Sequence, residues 1–150
     1  MPLEGPRVRI AAIIVRRDAL LLVRHVKEGK TYWLLPGGGV HFGETLCEAL
    51  EREVREETGL EIRPGALVFA NDSIPPQKER HVLNLYFTAA ISGGELVLGE
   101  DVRLAELRFV PIDELSSLAF RPDIRAALIP ALREGFPGRA VYLGNLWRDD

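Results

Sequence analysis

A single cysteine, Cys47, stands among the 150 residues, so an internal disulfide is excluded and a reducing compartment is the natural expectation. Histidine is nearly as scarce. His25, His41 and His81 lack the spacing of a transition-metal site and read as ordinary polar residues. A surplus of one charge is missing too: the formal net charge is −3, which argues against affinity for a nucleic acid polymer or an acidic membrane surface. No apolar run approaches about 18 residues, and no basic start leads into such a run, so neither a membrane span nor an export signal is expected. The expected location is cytoplasmic. With no internal repeat, low-complexity stretch or dividing linker, residues 1–150 read as one domain long enough for a real core.

What is present is the composition of a soluble globular protein, 47% hydrophobic and 27% charged. Residues 8–15 form a dense β-branched run that reads as a strand buried on both faces. Residues 19–23 follow after a short polar turn and read as its hairpin partner. A short strand at 33–35 is stopped by Pro36 and three glycines, where a tight turn is expected. Further strands are expected at 60–70, broken at Pro64 and Gly65, at 81–91, with Tyr86 and Phe87 in it, and at 107–110. Residues 95–98 read as a short edge strand, and 99–106 as an acidic loop. A helix start at 111–115, a helix across 122–133 interrupted by Pro130, and a last strand or arm from 140 complete the chain.

The richest stretch is residues 38–60. A helix is expected there, capped near residues 43–45 and ended by Gly59. With Leu50 as zero, Leu46, Cys47 and Val54 fall within about 60° of it and form the apolar stripe, which makes Cys47 a small core residue. Glu57 falls at about −20°, Glu53 at about −60° and Glu56 at about −120°, so these acids overlap or border the stripe. Glu48 with Arg52 and Glu51 with Arg55 make i,i+4 pairs on the far side. Carboxylates beside a core stripe are costly unless something positive neutralises them, and a hard divalent cation with a preference for oxygen ligands is the simplest candidate. The glycines at 37–39 are not followed by Lys-Ser or Lys-Thr, so they do not form a P-loop.

Gly38, Glu44 and the run Arg52-Glu53-Val54-Arg55-Glu56-Glu57-Thr58-Gly59-Leu60 together resemble a complete Nudix box. Seven fixed positions at this spacing arise by chance on the order of once in 10⁸ starts. The Trp-Leu-Leu-Pro-Gly-Gly entrance at 33–38 and the segment 108–115 are similar to the same family. The resemblance implies an α/β fold, a Nudix-type α/β/α sandwich with a mixed β-sheet. It also implies hydrolysis of a nucleoside diphosphate linked to another group, with Mg²⁺ or Mn²⁺. By matching positions, Glu56 and Glu57 would be the principal metal ligands, and Glu53 a further ligand or the base. Arg52 would orient a catalytic carboxylate, and Gly37 or Gly38 could lend a backbone carbonyl to the metal. Glu44 would hold the loop at the substrate side. Where the base lies outside the box, Glu100 in the acidic loop is the first candidate, ahead of Asp101 and Glu106.

Arg24 is placed similarly to a phosphate-contacting arginine of some family members, with a solvated strand-end charge as the plain alternative. Tyr86, like Trp33 and Phe87, offers a π face for a base, although aromatics in strands are more often core. In the ADP-ribose pyrophosphatase branch a proline stands at a set distance beyond the box, and Pro75 follows Leu60 by 15 residues. The loop 71–80 around it is expected to border the site. ADP-ribose or a related nucleotide sugar is therefore the first substrate reading, with a small-molecule nucleotide as partner and a homodimer as the assembly known in that branch. A modified nucleoside triphosphate is the second. A nucleotide-binding regulatory module without catalysis is a third, which the intact Arg-Glu-Val-Arg-Glu-Glu run disfavours.

Overall fold

The first apolar run does not stay in one sheet. In the computed structural model, which describes residues 5–147, β1 (Arg7–Ile13) ends where β2 (Val15–Arg16) begins, and the two belong to different sheets. β3 (Ala19–Lys27) pairs antiparallel with β2, with β4 (Lys30–Leu34) and with β8 (Leu104–Pro111). The expected hairpin between the first two apolar runs is thus reduced to its tip, Val15 opposite Leu20 and Arg16 opposite Ala19. β1 instead lies antiparallel to β5 (Gly37–Gly39) and parallel to β7 (Val82–Gly94). That sheet continues through β6 (Leu60–Ser73) to β9 (Val141–Asn145), in the order β5-β1-β7-β6-β9. Both parallel and antiparallel pairs occur in it, which makes it the mixed sheet expected.

Side-chain alternation along β1 sends successive residues into two different cores. Ile10, Ala12 and Ile14 pack with Leu50 and Val54 of α1 (Leu46–Thr58), while Ala11 and Ile13 pack with Leu128 and Ala131 of α2 (Arg125–Glu134). Helices therefore cover opposite faces of β1, the layering of an α/β/α sandwich. A 3₁₀ turn, Ile112–Ser117, leads toward α2, which accommodates Pro130 internally.

Two local expectations are corrected here. The glycines at 37–39 are not a tight turn but an edge strand. Glycine is required for close approach: a Cβ at Gly37 would run into the Ile10 carbonyl oxygen, and one at Gly38 into the Glu53 carboxylate. Cys47 is exposed rather than core, because full burial along α1 begins only at Ala49.

α1 itself is over-determined locally. Thr45 is its N-cap, its hydroxyl accepting from the Glu48 backbone N–H at 3.1 Å while the Glu48 carboxylate accepts from the Thr45 N–H at 3.2 Å. This reciprocal capping box uses Glu48 otherwise than in the expected surface pair with Arg52. At the other end Gly59 takes the left-handed conformation, φ 76°, that ends helices at low steric cost.

Candidate active site

The C-terminal half of α1 and β5 border an open cleft of about 1240 Å³, and Glu53, Glu56 and Glu57 all line it. Their exposures follow the helical angles. The side chains of Glu57 and Glu53 are 14% and 15% accessible, and that of Glu56, farther round, is 59% accessible. Glu57 is fixed through Oε1, which accepts from the Gly37 N–H at 2.7 Å. Glu53 lies against Gly38, and its carboxyl is shifted upward first by burial and then by the neighbouring charges of Glu57 and Glu56, with Arg52 opposing.

Arg52 is the organiser of this face. Its Nε and Nη2 donate to the two oxygens of Glu44 at 2.7 and 3.0 Å, Nη1 donates to Glu53 at 2.9 Å and to Glu56 at 3.4 Å, and Nη2 also reaches the Gly39 carbonyl at 3.0 Å. One guanidinium thereby ties the helix, the glycine strand and the loop between them. Glu44 also accepts from the His41 N–H at 2.9 Å, and the Arg52 bond holds its carboxyl down at about 2. Glu44 thus holds the loop as expected, but it is not among the residues lining the cleft.

The donor set suits a hard divalent cation: carboxylate oxygens on one wall of an open cleft, one of them buried enough to disfavour its own charge. Among the described residues no three His, Cys, Asp or Glu side chains are already gathered about a point. Arg52 Nη1 donates to both Glu53 and Glu56, and the Gly37 N–H to Glu57, so the three acids are oriented by separate donors. Gly38 is brought beside Glu53.

Residues 95–99 form no strand. The N–H groups of Val97 and Gly99 donate to the carbonyls of Thr58 and Glu57 at 2.8 and 3.0 Å, closing the free end of α1. Gly99 must be glycine here, since a Cβ would meet the Glu56 carbonyl. This strap delivers Glu100 and Asp101 to the cleft, where Asp101 pairs with Arg103 at 2.8 Å and Glu100 is exposed. Glu106 is not in the loop but on β8, paired with Arg24 at 3.1 Å.

Several expected substrate contacts fall elsewhere. Arg24 and Glu106 satisfy each other outside the cleft lining. Tyr86 is a core residue, 1% exposed, because its hydroxyl is taken by Asn71 at 2.6 Å and its ring packs in the α2-side cluster. Trp33 and Phe87 are buried as well. Pro75 does not line the cleft; beside it the Asn145 side chain of β9 bonds both the N–H and the carbonyl of Ile74. In their place the cleft presents His25, Tyr32, Phe42 and Arg103. His25 was legible as the third member of the alternation Leu21, Val23, His25, a polar side chain on a face that otherwise buries apolar groups.

The comparisons agree with this geometry. The NUDIX domain model matches residues 5–132. An ADP-ribose pyrophosphatase of Methanocaldococcus jannaschii is 36% identical over 116 residues, 77% of this chain and 68% of that protein. An 8-oxo-dGDP phosphatase of Homo sapiens is 32% identical over 102 residues, 67% of this chain but only 30% of that longer protein. Among solved structures, a NUDIX hydrolase from Nitrosomonas europaea superposes with a TM-score of 0.76 at 25% identity, covering 87% of this chain and 90% of that one. With the box complete and its acids lining one cleft, the chain belongs to the Nudix hydrolase family.

Proposed function

We propose that the protein hydrolyses the pyrophosphate bond of a nucleoside diphosphate linked to another group, ADP-ribose or a related nucleotide sugar first, with Mg²⁺ or Mn²⁺ held by Glu53, Glu56 and Glu57. The observation that carries this reading is the convergence of those three carboxylates on one open cleft. A divalent cation there would offset the repulsion between a pyrophosphate and its attacker and favour ionised water. In the reaction the water oxygen bonds to one phosphorus as the bridging P–O bond breaks. The departing phosphate keeps the electron pair, and a carboxylate takes the water proton. Glu53, with its upward-shifted carboxyl, and Glu100, on the strap, both line the cleft and are the candidate bases. Arg52 orients Glu53 and Glu56 rather than touching substrate.

For the substrate, the archaeal relative's name favours ADP-ribose. The cleft is larger than a pyrophosphate needs and offers Tyr32, Leu34, Phe42, Val97 and Leu98 to the groups on either side of it. The 8-oxo-dGDP phosphatase favours a modified nucleotide as the second reading. A single panel decides between them: kcat/KM with Mg²⁺ for ADP-ribose, nucleotide sugars, diadenosine polyphosphates and oxidised dGTP. ADP-ribose or a nucleotide sugar is expected to lead. Preference for oxidised dGTP would move the assignment to the second reading, and tight binding with no cleavage of any compound would indicate a regulatory module.

A further inference from the structure

Glu57 uses only one of its oxygens. Oε1 accepts from Gly37, whereas Oε2 takes no hydrogen bond in the described residues, and the nearest ion-pairing nitrogen is His25 Nε2 at 3.9 Å. That nitrogen is itself the one buried side-chain polar atom without a partner among the described residues. A buried, unpartnered nitrogen thus lies beside a carboxylate oxygen that takes no hydrogen bond, about 1 Å farther than a hydrogen bond allows.

The imidazole is held in this attitude from several sides. Leu21, Val23 and His25 alternate toward α1, and the β3–β8 register shifts between Arg24 and His25, with Ala105 the extra residue on β8. Such a bulge re-aims the side chains beside it. The Tyr32 ring lies against the imidazole, with centroids 5.8 Å apart and planes tilted by 54°. His25 is 8% exposed. At this position an apolar residue would pack without the cost of a buried, unpartnered polar nitrogen. Packing alone does not account for a histidine here.

We propose that His25 is a positioning residue for the metal-binding carboxylate: its Nε2–H is the donor that fixes Glu57 Oε2, as the Gly37 N–H fixes Oε1. A small rotation of the carboxylate closes the gap. Outer partners of this kind hold ligating carboxylates in orientation, and their loss typically weakens metal binding by about 10–100-fold. The inference rests on the reading of Glu57 as a metal ligand.

The test is direct Mn²⁺ binding to the full chain, read from the electron paramagnetic resonance signal of the free ion, with thermal melts alongside. His25→Leu is expected to weaken Mn²⁺ binding by about 10–100-fold with melting unchanged or raised. His25→Gln, whose amide nitrogen can reach the same place, is expected to recover most of the affinity. His25→Met serves if the leucine variant does not fold. Wild-type affinity in the apolar variants overturns the proposal, and so does equal weakness of the apolar and glutamine variants, which would mean lost ring packing rather than a lost donor. Glu57→Gln separates the two levels. If it binds Mn²⁺ as wild type does, the metal assignment of Glu57 itself has failed; if it alone weakens binding, only the role of His25 has failed.

Discussion

Two of the buried polar clusters among the described residues are finished to different degrees. On the α2 side of the sheet, Tyr86 donates to Asn71, Asn71 donates to the Asp72 carbonyl at 2.9 Å, and Asn84 donates to Ser73 at 3.0 Å. That network is neutral and closed. Beside α1, Glu53, Glu57 and His25 are also mostly buried, but the two carboxylates repel each other, and His25 Nε2 and Glu57 Oε2 take no hydrogen bond among the described residues. A closed network specifies a core, because every member has its partner. An open one stores unsatisfied capacity, which is where a cation and a substrate can be bound.

The sharpest way to break this contrast is to act on the open cluster. Glu57→Gln or Glu56→Gln is expected to lower pyrophosphatase activity by at least about 10²-fold while circular dichroism stays native. Wild-type turnover in both would sink the assignment. Chelation by EDTA should abolish turnover in the unmodified protein, and Mg²⁺ or Mn²⁺ should restore it.

The closed cluster should answer in the opposite currency. Tyr86→Phe leaves the buried Asn71 oxygen without its donor and is expected to cost about 1–3 kcal/mol in urea unfolding. Its kcat should stay close to wild type. A large fall in kcat without loss of stability would show that Tyr86 touches substrate after all. Thr45→Ala removes one side of the capping box and is expected to cost about 1 kcal/mol by the same measurement. Arg24→Ala is the smallest: it breaks a half-exposed pair with Glu106, worth about 0–1 kcal/mol, and should leave KM unchanged.

The open cluster was the more legible of the two in the sequence. Helical angles ranked Glu57, Glu53 and Glu56 in the order of exposure that the structure shows, because α1 is specified within its own residues by cap, stripe and glycine stop. Non-local pairing was not legible. β1 meets β7 through residues such as Ile10 and Leu85, far apart in the chain, so proximity suggested the wrong partner in residues 19–23. The same limit misplaced Tyr86 and Pro75, whose surroundings come from Asn71 and Asn145. The glycines at 37–39 suggested a turn because their composition permits one, while the demand on them comes from the Ile10 carbonyl and the Glu53 carboxylate across the gap. Spacing to the other histidines carries no signal for His25, whose signal lies in the alternation of its strand.

The strap over the end of α1 divides its loop into a fixed and a free part. Val97 and Gly99 are fastened to the helix, and the Arg103 carbonyl is fastened to β3 through the Val26 N–H at 2.9 Å. Only residues 100–102 project between these anchors, with Val102 almost wholly in solvent. Asp101 is tied back to Arg103 and Leu104, so a change at Val102 leaves undisturbed the helix end that carries Glu57. The fold thus offers a short stretch beside the cleft, around Val102, that can be changed while the acids of α1 stay in place.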